Sequence, residues 1–223
     1  MIDKRIGSLA EAVADIPDGA TVMIGGFGDA GNPTNLVDAL VEQGASDLTI
    51  VSNNAGSGTG DIGALLANGR VRRIICSFPR TPGSVVFEEL YLEGRIELEL
   101  VPQGTLAERI RAGGAGVVAF YTPTGIGTQL VEGKEIRTID GVECVLEHGI
   151  RADFSLVRGD RGDRWGNLTY HRAARNFNPM MASAGTVSIA EVREIVELGD
   201  IHPEHVVTPG IFVDRVVLSG DRR

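Results

Sequence analysis

Short apolar runs rich in β-branched residues alternate with stretches of helical spacing along this chain, and glycines gather at the junctions between them. A buried strand that feeds a helix through a tight glycine turn, repeated several times, specifies a mostly parallel sheet covered by helices. No internal repeat and no low-complexity linker interrupts the pattern. The expected fold is therefore α/β: an open, mostly parallel sheet flanked by helices, with a small β-rich flap, residues 1–223 forming a single domain.

Local signals give the pattern a register. Ser8 followed by Glu11 reads as a capping box opening a helix whose apolar face is Leu9, Val13 and Ile16, with a turn at Pro17-Asp18-Gly19. Thr21–Ile24 reads as a buried strand and the next helix begins near Pro33, with Leu36, Val37, Leu40 and Val41 facing the core and Gly44 as its C-terminal cap. Further strands are expected at 48–51, 71–76, 96–101, 154–157 and 186–190. A helix is expected over 105–111, with Thr105 and Glu108 as a second capping box and Gly113-Gly114 at its end. Residues 133–146 read as a hairpin turning at Asp140-Gly141.

Composition excludes several function classes. The net charge is −9, with 30 acidic against 21 basic residues, so bulk electrostatics offer nothing to nucleic acid. All but two of the basic residues, Lys4 and Lys134, are arginines. Cys76 and Cys144 lie far apart without metal spacing, so neither a disulfide framework nor a metal site is expected and a reducing cytoplasm is the simplest setting. The N-terminus does not read as a signal peptide, and no apolar run approaches the roughly 20 residues of a membrane span. His148, His171, His202 and His205 read as structural.

The segment after the first strand carries the chemistry. Gly26, Gly28 and Gly31 satisfy GxGxxG between a strand and a helix. One reading is a dinucleotide loop, but Ser52, Asn53 and Asn54 follow the second strand where that reading needs a carboxylate. The other is a tight turn that only glycine makes cheaply. Asn53 and Asn54 fit either ligand contacts at a strand tip or an Asx turn. Gln103 and Gly104 fit either a second polar contact or a purely structural cap.

A longer string decides between these readings of the loop. Asp18-Gly19, the apolar Val22-Met23-Ile24, Gly25-Gly26-Phe27, Gly31 and Pro33 together resemble the signature of the family I CoA-transferases, on the side of their α (A) subunits. Blocks at 102–116, 122–128, 166–170, 174–179 and 208–210 resemble the same family in the same order. The resemblance implies exchange of CoA between acids through a glutamate of the β subunit. That glutamate attacks the acyl-CoA, forms an anhydride and then a glutamyl-CoA thioester, and the incoming acid reverses the steps.

By that resemblance no catalytic nucleophile belongs to this chain, and it needs a separately encoded β partner, as an α2β2 heterotetramer or a heterodimer. No cofactor is implied, coenzyme A being a substrate. The resemblance places CoA on Gly25, Gly26, Phe27, Gly28, Asp29, Ala30 and Gly31, whose backbone amides at a helix N-terminus suit an anionic or carbonyl oxygen. Phe27 then packs on the pantetheine arm or plugs the sheet edge, and Asp29 faces solvent or a partner arginine. Blocks at 52–56, 76–80 and 162–170 resemble the branch acting on 3-oxoadipate with succinyl-CoA as donor; the acetoacetate branch shares much of this. Arg80 is the candidate for the second carboxylate of 3-oxoadipate, against a solvated or interface arginine. Trp165 is expected at the interface between subunits. A non-catalytic effector-binding module of related fold remains the alternative class.

Overall fold

The computed structural model describes residues 2–56, 61–81 and 84–220. The expected strands form at β1 (Thr21–Ile24), β2 (Leu48–Val51), β3 (Val71–Cys76) and β4 (Glu97–Leu100), the last an edge strand that is only partly covered instead of buried. Later in the chain come β8 (Ala152–Asp163), β9 (Gly185–Val196) and β10 (Arg215–Leu218). Among the described residues these seven strands make one sheet in the order β10-β9-β8-β1-β2-β3-β4, every pairing parallel. Strand order therefore runs outward in two directions from β1 and β8, which makes their junction a topological switch point.

Alternation along β1 sends Val22 and Ile24 to one face and Met23 to the other. The first face is covered by α1 (Leu9–Val13), α2 (Thr34–Gln43), α3 (Ile62–Ala67) and α4 (Val85–Leu92), through Val13, Leu36, Leu40, Leu65 and Phe87. The second is covered by α5 (Gln103–Gly114) and α6 (Asn178–Ala184), through Leu106, Ile110 and Met181. Ser8 does cap α1, its hydroxyl accepting the Glu11 N–H at 3.1 Å. The flap is a second sheet in the order β5-β7-β6, with β5 at Ala119–Thr122, β6 at Ile136–Ile139 and β7 at Val142–His148. Its hairpin turns at Asp140-Gly141, both at positive φ.

Several local expectations are corrected. The helix expected at 105 begins at Gln103, so Thr105 lies buried inside its first turn and caps nothing, while Glu108 pairs with Arg111 at 2.6 Å. Strands β8 and β9 run well past the apolar cores that mark them. Their charged continuations hold register through cross-strand pairs, Arg158 opposite Glu191 and Arg161 opposite Glu194, the latter 3.6 Å apart. The flap is docked by Arg109, which donates to Glu99 at 2.6 Å and to the His148 carbonyl at 2.8 Å, while Lys134 meets the buried Glu147 at 2.6 Å. No helix among the described residues is long and apolar enough to cross a membrane.

The start of α2 is built around a buried carboxyl group. Glu191 on β9 is fully buried, and its carboxylate accepts the Leu36 N–H in the first turn of α2 at 2.9 Å, with Arg158 3.9 Å away. Burial pushes the carboxyl up to about 7, against the opposing pull of the Leu36 amide and Arg158. From its ordinary value of 4.5 up to about 7, the folded chain holds a proton that the unfolded chain has released. This group therefore costs stability progressively as pH rises through that window. Glu191→Gln, which keeps an acceptor for Leu36, should gain roughly 1–3 kcal/mol on the wild type between pH 5 and pH 8. Urea unfolding at the two pH values measures this; a pH-independent difference would contradict it.

Candidate functional site

Because the large sheet is parallel, the loops after β1, β2, β3 and β4 all emerge at one edge, beside the switch point. The loop after β1 is the glycine segment. Asn53 and Asn54 follow β2, Ser77 to Thr81 follow β3, and Gln103 opens α5 after β4.

A chain of side-chain amides ties these tips together. Gln103 Nε2 donates to Asn53 Oδ1 at 3.0 Å, and Ser77 Oγ donates to the same oxygen at 2.8 Å. Asn53 Nδ2 donates to Asn54 Oδ1 at 2.9 Å, and that oxygen accepts the Gly28 N–H at 3.1 Å. Asn53 is 1% exposed and its side chain is bonded to the tips on either side, so it is the buried, satisfied hub of a network reaching across strands and not a local Asx turn. Gly104 stands exposed beside Gln103, with nothing within 4 Å of an added Cβ.

The other side of the loop is clamped by the segment leading into α6. Asn176 Nδ2 donates to the Ala30 carbonyl at 2.9 Å, and Asn178 Nδ2 donates to the Gly31 carbonyl at 3.0 Å. Asn178 Oδ1 accepts the Arg158 N–H at 2.9 Å. An added Cβ on Gly25 would lie 1.9 Å from that oxygen, and one on Gly31 would lie 2.4 Å from the Ala174 carbonyl. These two glycines are required by close approach. Gly28 is different: its φ is +57°, and nothing lies within 4 Å of an added Cβ.

The loop is less bare than its sequence implies. The amides of Gly25, Phe27, Gly28 and Ala30 donate to Leu156, Ala30, Asn54 and Phe27 respectively. Those of Gly26, Asp29 and Gly31 have no partner among the described residues. The helix N-terminus expected to receive a ligand anion is filled from within by Glu191. That residue was missed in sequence, although a lone carboxylate inside the apolar run 186–192 is the signal for it. Phe27 and Asp29 are exposed, so Phe27 plugs no sheet edge within this chain.

Beneath the loop lies a cavity of about 230 Å³. Gly26, Gly28 and Asp29 line it together with Asn54, Asn32, Ser52, Asp61 and Thr81, over an apolar floor of Ile24, Val37 and Ile62. Arg80 precedes Thr81 but is itself 73% exposed in its side chain and paired with Glu88 at 2.9 Å. Asn32 and Asp61 were also missed in sequence. Asn32 sits between Gly31 and Pro33 of the family signature, and Asp61 has no marker beyond its place at a helix start. Cys76, at the end of β3, is buried, and desolvation pushes its thiol up to about 12, which removes it as a nucleophile.

The family model for coenzyme A transferases matches residues 6–219. The chain belongs to the coenzyme A transferase family. The A subunit of 3-oxoadipate CoA-transferase from Pseudomonas putida is 59% identical over 217 residues, covering 97% of this chain and 94% of the relative. The human mitochondrial succinyl-CoA:3-ketoacid coenzyme A transferase 2 is 50% identical over 225 residues, covering 93% of this chain but 43% of the human protein. The crystal structure of an acyl-CoA transferase (YdiF) from Escherichia coli O157:H7, a thioester complex with CoA, superposes with a TM-score of 0.85 at 25% identity. It takes in 99% of this chain, which spans about half the length of YdiF, 48%. This CoA-transferase chain is thus of the family I A type, one component of a transferase.

The geometry separates loop glycines that shape the fold from one that does not. Gly25→Ala in this transferase chain should cost roughly 2–4 kcal/mol, because Asn178 is fully buried and cannot yield without losing its hydrogen bonds. Gly28→Ala should cost only about 1 kcal/mol, the backbone penalty of positive φ. Equal costs in urea titrations would contradict the assignment of Gly25 to close packing.

Proposed function

We propose that this chain is the α component of a CoA-transferase that moves CoA from succinyl-CoA to 3-oxoadipate, giving succinate and 3-oxoadipyl-CoA. The nucleophilic glutamate belongs to a separately encoded β partner, and the assembly is α2β2. The observation that carries the reading is the Gly26 amide, without a partner among the described residues, at the wall of a cavity beside the sheet's switch point. The name of the 59% identical Pseudomonas putida relative supports 3-oxoadipate over acetoacetate as acceptor. Cys76 and Cys144 are free and buried, which supports a reducing, cytoplasmic setting. Trp165, half exposed, is proposed as an anchor for the partner.

In this scheme the partner's carboxylate attacks the thioester carbonyl, and negative charge develops on the carbonyl oxygen. The Gly26 N–H, held rigid by its neighbours' hydrogen bonds, donates to that oxygen and lowers the barrier without reorganising. Ile24, Val37 and Ile62 keep water from the reacting centre. Collapse gives an acyl anhydride and CoA thiolate. The thiolate attacks the glutamyl carbonyl, releasing succinate and leaving glutamyl-CoA thioester. 3-Oxoadipate then attacks, and the same two steps run in reverse. Arg80 serves the distal carboxylate of 3-oxoadipate by exchanging Glu88 for it.

The test is reconstitution. The isolated chain should show no transfer, and the co-expressed pair should transfer CoA to 3-oxoadipate with ping-pong kinetics. In the pair, Arg80→Met should lower the selectivity for 3-oxoadipate over acetoacetate roughly 10- to 100-fold. Turnover by the single chain would overturn the division of labour. An equal loss on both acids, or none, would take Arg80 out of the site.

A further inference from the structure

The Asn32 side chain folds back into the interior of the glycine loop. Phe27 and Ala30 exchange backbone hydrogen bonds at 3.0 and 3.1 Å, which makes Gly28 and Asp29 a two-residue turn. Asn32 Nδ2 donates to the Gly28 carbonyl on that turn at 2.9 Å and to Asp61 Oδ2 at 3.3 Å. Asn32 Oδ1 lies against Gly26, so close that an added Cβ there would stand 1.7 Å from it. The backbone carbonyl of Asn32 accepts from Arg158 Nη1 at 3.3 Å, so the residue is held from β8 as well. One carboxamide therefore touches both ends of the segment from Gly26 to Gly28, and Asn54 holds the Gly28 N–H from the other side.

Stability does not call for this arrangement. Gly28 is exposed, and water would satisfy its carbonyl at little cost. What the bond supplies is geometry. Gly26 and Gly28 carry no side chain of their own to restrain the peptides around them, and glycine backbone is the freest in the chain. A hydrogen bond weakens steeply as its donor turns off line, so a donor to a transient charge works only if its direction is set in advance. Resting on the CoA-transferase reading above, in which the Gly26 N–H meets the developing charge, we propose that Asn32 is a positioning residue for the reaction. It braces the loop from inside, between Gly26 and the Gly28 carbonyl, and acts through the Gly26 N–H whose direction it fixes.

The experiment uses the assembled pair, with succinyl-CoA and 3-oxoadipate as substrates. Asn32→Leu keeps a branched side chain beside Gly26 and removes its polar contacts; Asn32→Ala removes the brace entirely. Both variants should assemble and unfold thermally close to the wild type. Asn32→Leu should lower kcat roughly tenfold while KM for succinyl-CoA changes less than about twofold, because the lost alignment matters most in the transition state. Asn32→Ala should lower kcat at least as far, again with little change in KM. A raised KM at unchanged kcat, or wild-type kinetics in both variants, would overturn the positioning role. So would a fall in kcat that only matches a fall in the folded, assembled fraction. Failure of the wild-type pair to transfer CoA to any 3-oxo acid would instead overturn the functional reading beneath it, and this role with it.

Discussion

The contact between Gly25 and Asn178 sets the shape of everything around the site. Asn178 is fully buried, and its amide joins three segments: the loop through Gly31, the turn before α6 through Ala174, and β8 through the Arg158 amide. The bonds form only because Gly25 carries no Cβ, which would fall 1.9 Å from Asn178 Oδ1. With that side clamped, the amide chain from Gln103 through Asn53 and Asn54 to Gly28 fixes the other. The loop is thus a rigid strap between two asparagine clamps, and rigidity is what a donor to a transient charge requires.

Electrostatics then divide the loop from the helix it leads into. A helix N-terminus attracts anions, and a glycine loop before one invites an external ligand. In this chain the internal Glu191 takes that position, with Arg158 behind it. The burial that raises its proton affinity leaves α2 anchored to β9 and the outer strands. What remains for a ligand is the set of loop amides at the cavity and a wall that is neutral to acidic. A neutral or hydrogen-bond-donating group fits that wall better than an anion does.

Much of this was legible before the structure. The period-2 and helical patterns are carried by apolar residues packing on a sheet, and Val22, Leu36, Leu40 and Val13 are buried where the pattern puts them. The pattern fails where polar residues do structural work. Strands β8 and β9 continue through Arg158, Arg161 and Glu194 because cross-strand pairing replaces apolar burial as the signal. Thr105 imitates a cap although Pro102 already ends the strand and begins the helix. Within the site, Gly26, Gly28, Asn53, Asn54 and Gln103 stood out in the sequence as small and amide residues at strand tips, and the fold brings them to one edge, where the amides bind one another. Asn178 and Glu191 did not stand out. Each acts across more than 100 residues of sequence, and only the folded chain brings it to the loop.

The central claim is that the loop after β1 receives the acyl-CoA. Amide hydrogen exchange on the assembled pair, read residue by residue with and without succinyl-CoA, tests it most directly. The Gly28 and Gly25 amides, bonded within the chain, should already be slow and change little. The Gly26 amide should exchange quickly in the free enzyme and become strongly protected on binding. Equal exchange at Gly26 in both states, with new protection confined to other segments or to the partner chain, would contradict the claim.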